Sequence, residues 1–345
     1  MKSRTSERVR KWSGRRRVSL PGYLGAAWLV VACGGPGEAK APQNDPDPDA
    51  LLADEPSGEP LAASSPEVNQ AMEAIKAEDF AGAKAILEPV VAKDSKDIQA
   101  VFYLGVAEAA LNETDAALVH FRKALELEPK FGDASLNLSA LLLDLQRYDE
   151  AVAVADKGLT HAPGDLGLTQ NKALALSYSG QQAAAVAPLR LVVEKKPDDE
   201  GMRFLFAEAL LASGDVEGAK AQLHELDSSS SREVLASIAD LYGRMKQWDD
   251  CVKALDSALA KEPAAELLVI RGLCKHGKQD ENGAKGDFEA AIKLDPNSAK
   301  AHFYLAHNLR ARGDKKGAKA AFLKAASLAG AGPLADQAQA AAAKL

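Results

Sequence analysis

The chain has few of the residues that build a reactive centre. Its 345 residues include three cysteines (Cys33, Cys251 and Cys274) and six histidines (His120, His161, His224, His276, His302 and His307). The histidines are scattered, and none stands in H-E-x-x-H or Cys/His zinc spacing. His302 and His307 are five apart, a poor match to one helical face. There is no phosphate-binding Gly-rich loop and no G-x-S-x-G. The serine run 228–231 reads as a solvated linker, and paired acids such as Asp249-Asp250 read as helix caps. The expectation is a protein that performs no chemistry and needs no metal, cofactor or small-molecule substrate.

Basic charge is also scarce outside the N-terminus. Lys and Arg number 42 against 49 Asp and Glu, a net charge of −7. Residues 1–20 hold eight Lys/Arg and one Glu, so removing residues 1–32 leaves about −14. An acidic chain without a recognisable binding motif is a poor nucleic-acid ligand. No apolar run reaches the roughly 20 residues of a membrane-spanning helix. Residues 18–32 are uncharged, mostly apolar and preceded by basic residues, which fits a signal-peptide core. Leu29-Val30-Val31-Ala32-Cys33-Gly34 resembles a bacterial lipobox. That resemblance implies cleavage before Cys33, diacylation of its thiol, and a chain held to the membrane by lipid, with the outer membrane facing the periplasm as the expected location. Two acyl chains suit stable anchoring. An ordinary signal peptide with an incidental Cys33 is the plainer alternative. Arg15-Arg16-Arg17 raises twin-arginine export, but Val18-Ser19-Leu20 matches that motif poorly.

After Cys33, residues 34–63 hold six Pro, four Gly and seven acidic residues with almost no apolar periodicity. This composition reads as disordered, so 33–63 is expected to be a lipid-anchored linker. It would span on the order of 30 Å as a coil and up to roughly 90 Å as polyproline II. Leu51-Leu52 and Leu61 are either incidental or part of a segment that folds back onto the rest of the chain as a self-ligand.

What the chain has in abundance is periodicity. Ala83, Ala117, Ala151, Ala185, Ala219, Cys251, Ala284 and Ala318 recur at intervals of 34, 34, 34, 34, 32, 33 and 34 residues. A second series runs twelve residues ahead of it: Ala71, Gly105, Ser139, Ala173, Ala207, Ala239, Gly272 and Ala306. Small residues at such spacing let two helices approach closely. In 98–131, Leu104, Gly105 and Ala109 share one helical face, and Asn112 to Asp115 supply a turn with N-cap oxygens. Ala117, Phe121, Ala124 and Leu125 then mark a second amphipathic helix. Pro129 ends it, as Pro163, Pro197, Pro263 and Pro296 do later.

This unit resembles the tetratricopeptide repeat, with L-G early in helix A, then A-x3-F and a closing Pro. Ala117-x3-Phe121…Pro129 and Ala284-x3-Phe288…Pro296 carry the likeness. Eight units fit at 64–97, 98–131, 132–165, 166–199, 200–231, 232–264, 265–298 and 299–330. The first has Gln70 for the usual Leu and Ser95 for Pro, and the fifth is two residues short. The resemblance implies an all-α, right-handed α-solenoid over 64–330. Residues 331–345, with Pro333 and an Ala-rich stretch, are expected to add a C-terminal capping helix.

The family binds proteins or peptides on a concave surface lined by helix A. In units two to five the matching positions carry Phe102, Tyr103, Val106, Leu136, Asn137, Ala140, Leu143, Gln170, Asn171, Leu174, Phe204, Glu208 and Leu211. Asn137 and Asn171, one repeat apart, would hydrogen-bond a peptide backbone while the aromatics take side chains. The same residues equally suit packing inside the repeats. The Lys/Asn/Arg clamp of chaperone-tail binders is missing from these units. Lys300, His307, Arg310, Arg312, Lys315, Lys316 and Lys319 make unit eight basic, as a polar end cap or as a surface for an acidic partner. Unit seven alone places Arg271 at position seven and Asp287 at position twenty-three, which predicts a structural ion pair across its two helices. Cys251 and Cys274 are either small core residues or a disulfide. Together these features describe a lipid-anchored envelope scaffold that binds other proteins during assembly of an envelope complex. The alternative is an accessory that docks a cell-wall hydrolase or another enzyme.

Overall fold

The computed structural model describes residues 65–345; the leader 1–32, Cys33 and the linker 33–63 lie outside the described residues. Seventeen α-helices and no strand occur among the described residues. Sixteen of them form eight hairpins, each a helix A followed by a helix B. The first four are α1 (Pro66–Lys76) with α2 (Phe80–Lys93), α3 (Ile98–Ala110) with α4 (Thr114–Leu127), α5 (Gly132–Asp144) with α6 (Tyr148–His161), and α7 (Leu166–Tyr178) with α8 (Gln182–Lys195). The next four are α9 (Glu200–Ala212) with α10 (Val216–Leu226), α11 (Arg232–Arg244) with α12 (Trp248–Lys261), α13 (Ala265–Gly277) with α14 (Glu281–Leu294), and α15 (Ala299–Ala311) with α16 (Lys315–Ala329). A last helix, α17 (Pro333–Ala343), starts with proline at its first turn and packs on α16.

The two series of small residues form the seams of this solenoid. All eight members of the helix B series, from Ala83 to Ala318, are fully buried. So are Ala71, Ser139, Ala173, Ala207, Ala239 and Ala306 of the helix A series. At Gly105 and Gly272 a Cβ would lie 3.0 and 2.5 Å from the rings of Phe121 and Phe288. In these two units the glycine makes room for the aromatic four residues after the small residue of helix B; in unit eight Ala306 leaves enough for Phe322. Burying such a ring contributes about 1.5–3 kcal/mol per unit, more than any single surface contact.

Every turn between helices A and B contains one residue in the left-handed region: Glu78, Asn112, Gln146, Gly180, Gly214, Lys246, Gln279 and Gly313. These recur with the spacing of the alanine series. In unit two the Asn112 amide bonds the Ala109 carbonyl at 2.9 Å and the Glu113 amide reaches back to the Glu108 carbonyl at 2.8 Å. That pair of bonds is a Schellman cap, which satisfies the last carbonyls of helix A. The expected side-chain cap at the start of α4 is not used. Glu113 occupies the N-cap without a capping bond, and its carboxylate instead meets Lys84 of the previous unit. Asp249 and Asp250 likewise lie in the first turn of α12, behind an N-cap Gln247, and pair with Lys278 and Lys220.

The helix B ends follow the prolines. Glu128, Ala162, Lys196, Glu262 and Asp295, each before a proline, have φ between −155° and −124° and leave the helix. Asp94 adopts the same shape (φ −137°, ψ 94°) before Ser95, so unit one bends alike without the proline. The short fifth unit has an 11-residue helix B, α10. The serines after it do not form a fully solvated linker. Ser229 is buried, its hydroxyl donates to Glu200 at 2.9 Å, and it accepts from the Ser231 amide at 3.0 Å. Ser231 in turn caps α11. One turn of helix is thus replaced by a hydrogen-bonded plug.

Candidate protein-binding surface

Which face of the solenoid is inner follows from the packing between units. Helices A of neighbouring units touch, α1 with α3, α3 with α5, α5 with α7, α9 with α11, α11 with α13 and α13 with α15, whereas neighbouring helices B make no contacts of comparable extent. The row of helices A therefore lies on the tighter radius. Asn171 on α7 stitches one such joint, donating to the Leu136 carbonyl at 3.2 Å and the Ser139 hydroxyl at 2.9 Å on α5.

The residues expected to line this face divide into two groups. Phe102, Val106 and Phe204 are buried in the core. Phe102 meets Phe131 edge-on at 4.8 Å and Tyr103 at 5.1 Å, so its ring is already occupied by the repeat. Asn137 and Asn171 are buried as well. Asn137 donates to the Asp133 carbonyl one turn earlier at 2.8 Å, and Asn171 makes the inter-unit bonds just described. Their amide donors are spent within the solenoid, which corrects the expectation of an asparagine ladder for a peptide. Tyr103, Leu136, Ala140, Leu143, Gln170, Leu174, Glu208 and Leu211 form the second group and are all partly exposed. Of these, Gln170 accepts from Lys196 at 3.0 Å, leaving a mainly apolar strip across α3, α5, α7 and α9.

Carboxylates punctuate the strip and its continuation. Asp144, at the end of α5, is open to solvent on one side, and burial of its other side pushes its pKa up to about 6. Burial also raises Glu208 on α9 and Asp240 on α11, against the opposing pull of Arg244, whose guanidinium lies 3.4 Å from Glu208. The surface is thus apolar with under-solvated negative charge towards unit six.

Two polar clusters lie inside the hairpins. In unit seven, Arg271 Nε and Nη2 donate to Asp287 Oδ2 and Oδ1 at 2.9 and 2.6 Å, joining α13 to α14. Lys275 adds a contact to Asp287 at 2.8 Å and Asp256 of α12 accepts from Arg271 at 2.6 Å. In unit two, buried Glu108 meets His120 Nδ1 at 2.6 Å, a pair the sequence reading missed. The available signal was a lone acid in the otherwise apolar α3. Cys251 on α12 and Cys274 on α13 form a disulfide across the joint of units six and seven, their Cα atoms 6.3 Å apart.

In unit eight, His307 is packed edge-on against Phe303 and Phe322, with ring centroids at 4.6 and 4.9 Å. Burial holds its pKa down to about 4, helped by Arg310 and His276. Among the described residues, no group of three His, Cys, Asp or Glu side chains is placed to hold a metal ion. No helix among them is long and apolar enough to cross a membrane.

Family models described as tetratricopeptide repeat match residues 68–127 and 109–168. Among curated proteins, the tetratricopeptide repeat and J domain-containing co-chaperone DNJ1 of Fusarium oxysporum f. sp. lycopersici is 24% identical over 206 residues, 55% of this chain and 40% of that protein. Superkiller complex protein 3 of Homo sapiens is 25% identical over 240 residues, 63% of this chain and 15% of that protein. The chain thus spans less than half the length of either curated relative. Among solved structures, a tetratricopeptide repeat protein from Parabacteroides merdae is similar at 18% identity with a TM-score of 0.48, over 70% of this chain and 97% of that one. Across units one to three, where the family models match, the chain carries tetratricopeptide repeats.

Proposed function

We propose that the protein is a lipid-anchored scaffold of the bacterial cell envelope, binding other proteins on its inner face during assembly of an envelope complex. The observation that carries the binding role is the strip of partly exposed Tyr103, Leu136, Ala140, Leu143, Leu174 and Leu211. It runs across four successive helices A, and a narrow apolar surface several units long suits an extended or helical segment of another protein. The under-solvated Glu208 and Asp240 at its far end favour a partner that brings basic residues there.

The envelope location is supported by two independent features. One is the basic and then apolar leader ending in Leu29-Val30-Val31-Ala32-Cys33. The other is the Cys251–Cys274 disulfide, because such bonds persist in oxidising compartments and are rare in the cytosol.

Two experiments test the reading. Mass spectrometry of the membrane fraction should find a diacylated Cys33, and a Cys33→Ala chain should leave that fraction; a soluble wild-type chain would remove the anchor. Photo-crosslinkers at Leu143 and Leu211 in cells should capture a common protein, and Leu143→Glu with Leu211→Glu should lose it. Capture that is unaffected by these changes would remove the inner face as the binding surface.

A further inference from the structure

The end of the solenoid carries charge of the opposite sign to the rest. Residues 299–345 contain eight Lys/Arg and only two acids, Asp314 and Asp336. Four of the cations, Arg312, Lys315, Lys316 and Lys319, fall within eight residues at the α15–α16 turn, and all four are exposed.

Inside the solenoid, cations at this place are paired with acids, in units one and five with an acid of the next unit and at Lys285 of unit seven with Glu289 of its own helix at 3.0 Å. Lys84 and Lys220 are the fifth residues of α2 and α10, as Lys319 is of α16. Lys84 pairs with Glu113 of unit two, and Lys220 with Asp250 of unit six at 3.3 Å. Arg122 of unit two meets Glu150 of unit three in the same way at 2.9 Å. Among the described residues α16 is followed by the single helix α17, whose one charged group is Asp336, with Lys344 just past its end. Lys315, Lys316 and Lys319 consequently have no acid within ion-pair distance among the described residues.

The chain has a matching acidic stretch at its other end. Residues 34–63 hold seven Asp/Glu and one Lys. Asp54 and Glu55 stand about a dozen residues before α1, a reach of at most about 40 Å. Seven inter-unit steps of about 10 Å place unit eight roughly 70 Å away, beyond that reach, and Asp45, Asp47 and Asp49, farther up the segment, approach it only at nearly full extension. A second copy has no such restriction. We propose that the acidic segment 34–63 of one copy docks on the basic α15–α16 surface of another, supplying the acids that a ninth unit would have offered. The contact is head-to-tail, so it propagates into chains of copies unless a symmetric arrangement closes it.

The test is sedimentation of the detergent-solubilised full chain at 20 mM and 300 mM salt. We expect concentration-dependent self-association at low salt that weakens at least tenfold at high salt, as exposed charges are screened. A Lys315→Glu, Lys316→Glu, Lys319→Glu chain should lose at least tenfold in affinity. Acids in the first turn suit the helix dipole, so α16 is kept, and circular dichroism checks it. An Asp45→Asn, Asp47→Asn, Asp49→Asn, Asp54→Asn chain should lose the same. Mixing the two variants should restore one association, because each retains the half the other lacks. A chain that is monomeric at both salts, variants that associate like the wild type, or no recovery on mixing would overturn the proposal. So would a surface that binds anionic lipid vesicles while the copies stay apart.

Discussion

Arg271 grips both carboxylate oxygens of Asp287 from the facing helix, and Asp287 is only 4% exposed. Removing one partner of such a buried pair leaves a charge without compensation. Lys275 remains 2.8 Å from Asp287, so Arg271→Ala is expected to cost about 2 kcal/mol rather than the full 3–5 of an isolated buried pair. Replacing both residues by the unit-six pattern, Ile238 and Ala254, should recover stability to within about 1 kcal/mol of wild type. Urea denaturation of Arg271→Ala, Asp287→Ala and Arg271→Ile/Asp287→Ala chains decides it. A double variant less stable than either single one would refute the account.

The disulfide closes a loop with a sequence separation of 23 residues. Chain-entropy reasoning gives such a loop about 3 kcal/mol of stabilisation. Reduction, or a Cys251→Ala/Cys274→Ala chain, should destabilise units six and seven by that amount and so lower their melting temperature. Thermal melts with and without reductant give the difference, and an unchanged double variant on adding reductant is the internal control.

His307 sets an acid limit. Its folded pKa of about 4 lies below the ordinary histidine value of 6.5, so the unfolded chain binds the extra proton between those values. Its contribution is complete above pH 6.5 and is lost as pH falls towards 4, by up to about 3 kcal/mol. A His307→Phe chain, with Phe303 and Phe322 still around it, should show a flatter loss of stability between pH 7 and 4.5. An identical pH slope in the two chains would show that the histidine is not the group responsible.

The left-handed turn residues give a test of the backbone. Gln146 holds φ 58° where Gly180 performs the same role at φ 79°. Gln146→Gly should stabilise by about 0.5–1 kcal/mol and Gly180→Ala should destabilise by a similar amount. Calorimetry on both reads opposite signs if the turn geometry is as described.

The architecture is largely legible in the sequence because its seams are made of small residues at a fixed spacing, and the eye needs only Ala83 to Ala318 to find the period. Arg271 and Asp287 stand out for the same reason, since each breaks a position that is apolar in most other units. What the period does not carry is orientation. Asn137 and Asn171 sit one repeat apart, yet both are buried and donate to the Asp133 carbonyl and the Ser139 hydroxyl within the solenoid. Ser229 looks like linker and is buried because α10 stops a turn early and Glu200 needs a donor. Glu108 and His120 stand at the same two repeat positions as Lys275 and Asp287 of unit seven, so a unit-by-unit comparison holds the signal that the period alone does not. Cys251 marks itself by replacing alanine, but its partner depends on how α12 and α13 meet, which spacing alone leaves open.

That same bond changes how the molecule answers a pull along its length. Neighbouring units are joined mainly where helix B of one packs on helix A of the next, so tension between the ends loads those joints. Between Cys251 and Cys274 the backbone cannot pay out: about 80 Å of contour is withheld from extension under any tension that leaves the sulfur link intact. The units on either side, one to five and eight, therefore remain extensible, and the link between units six and seven is a fixed length among them.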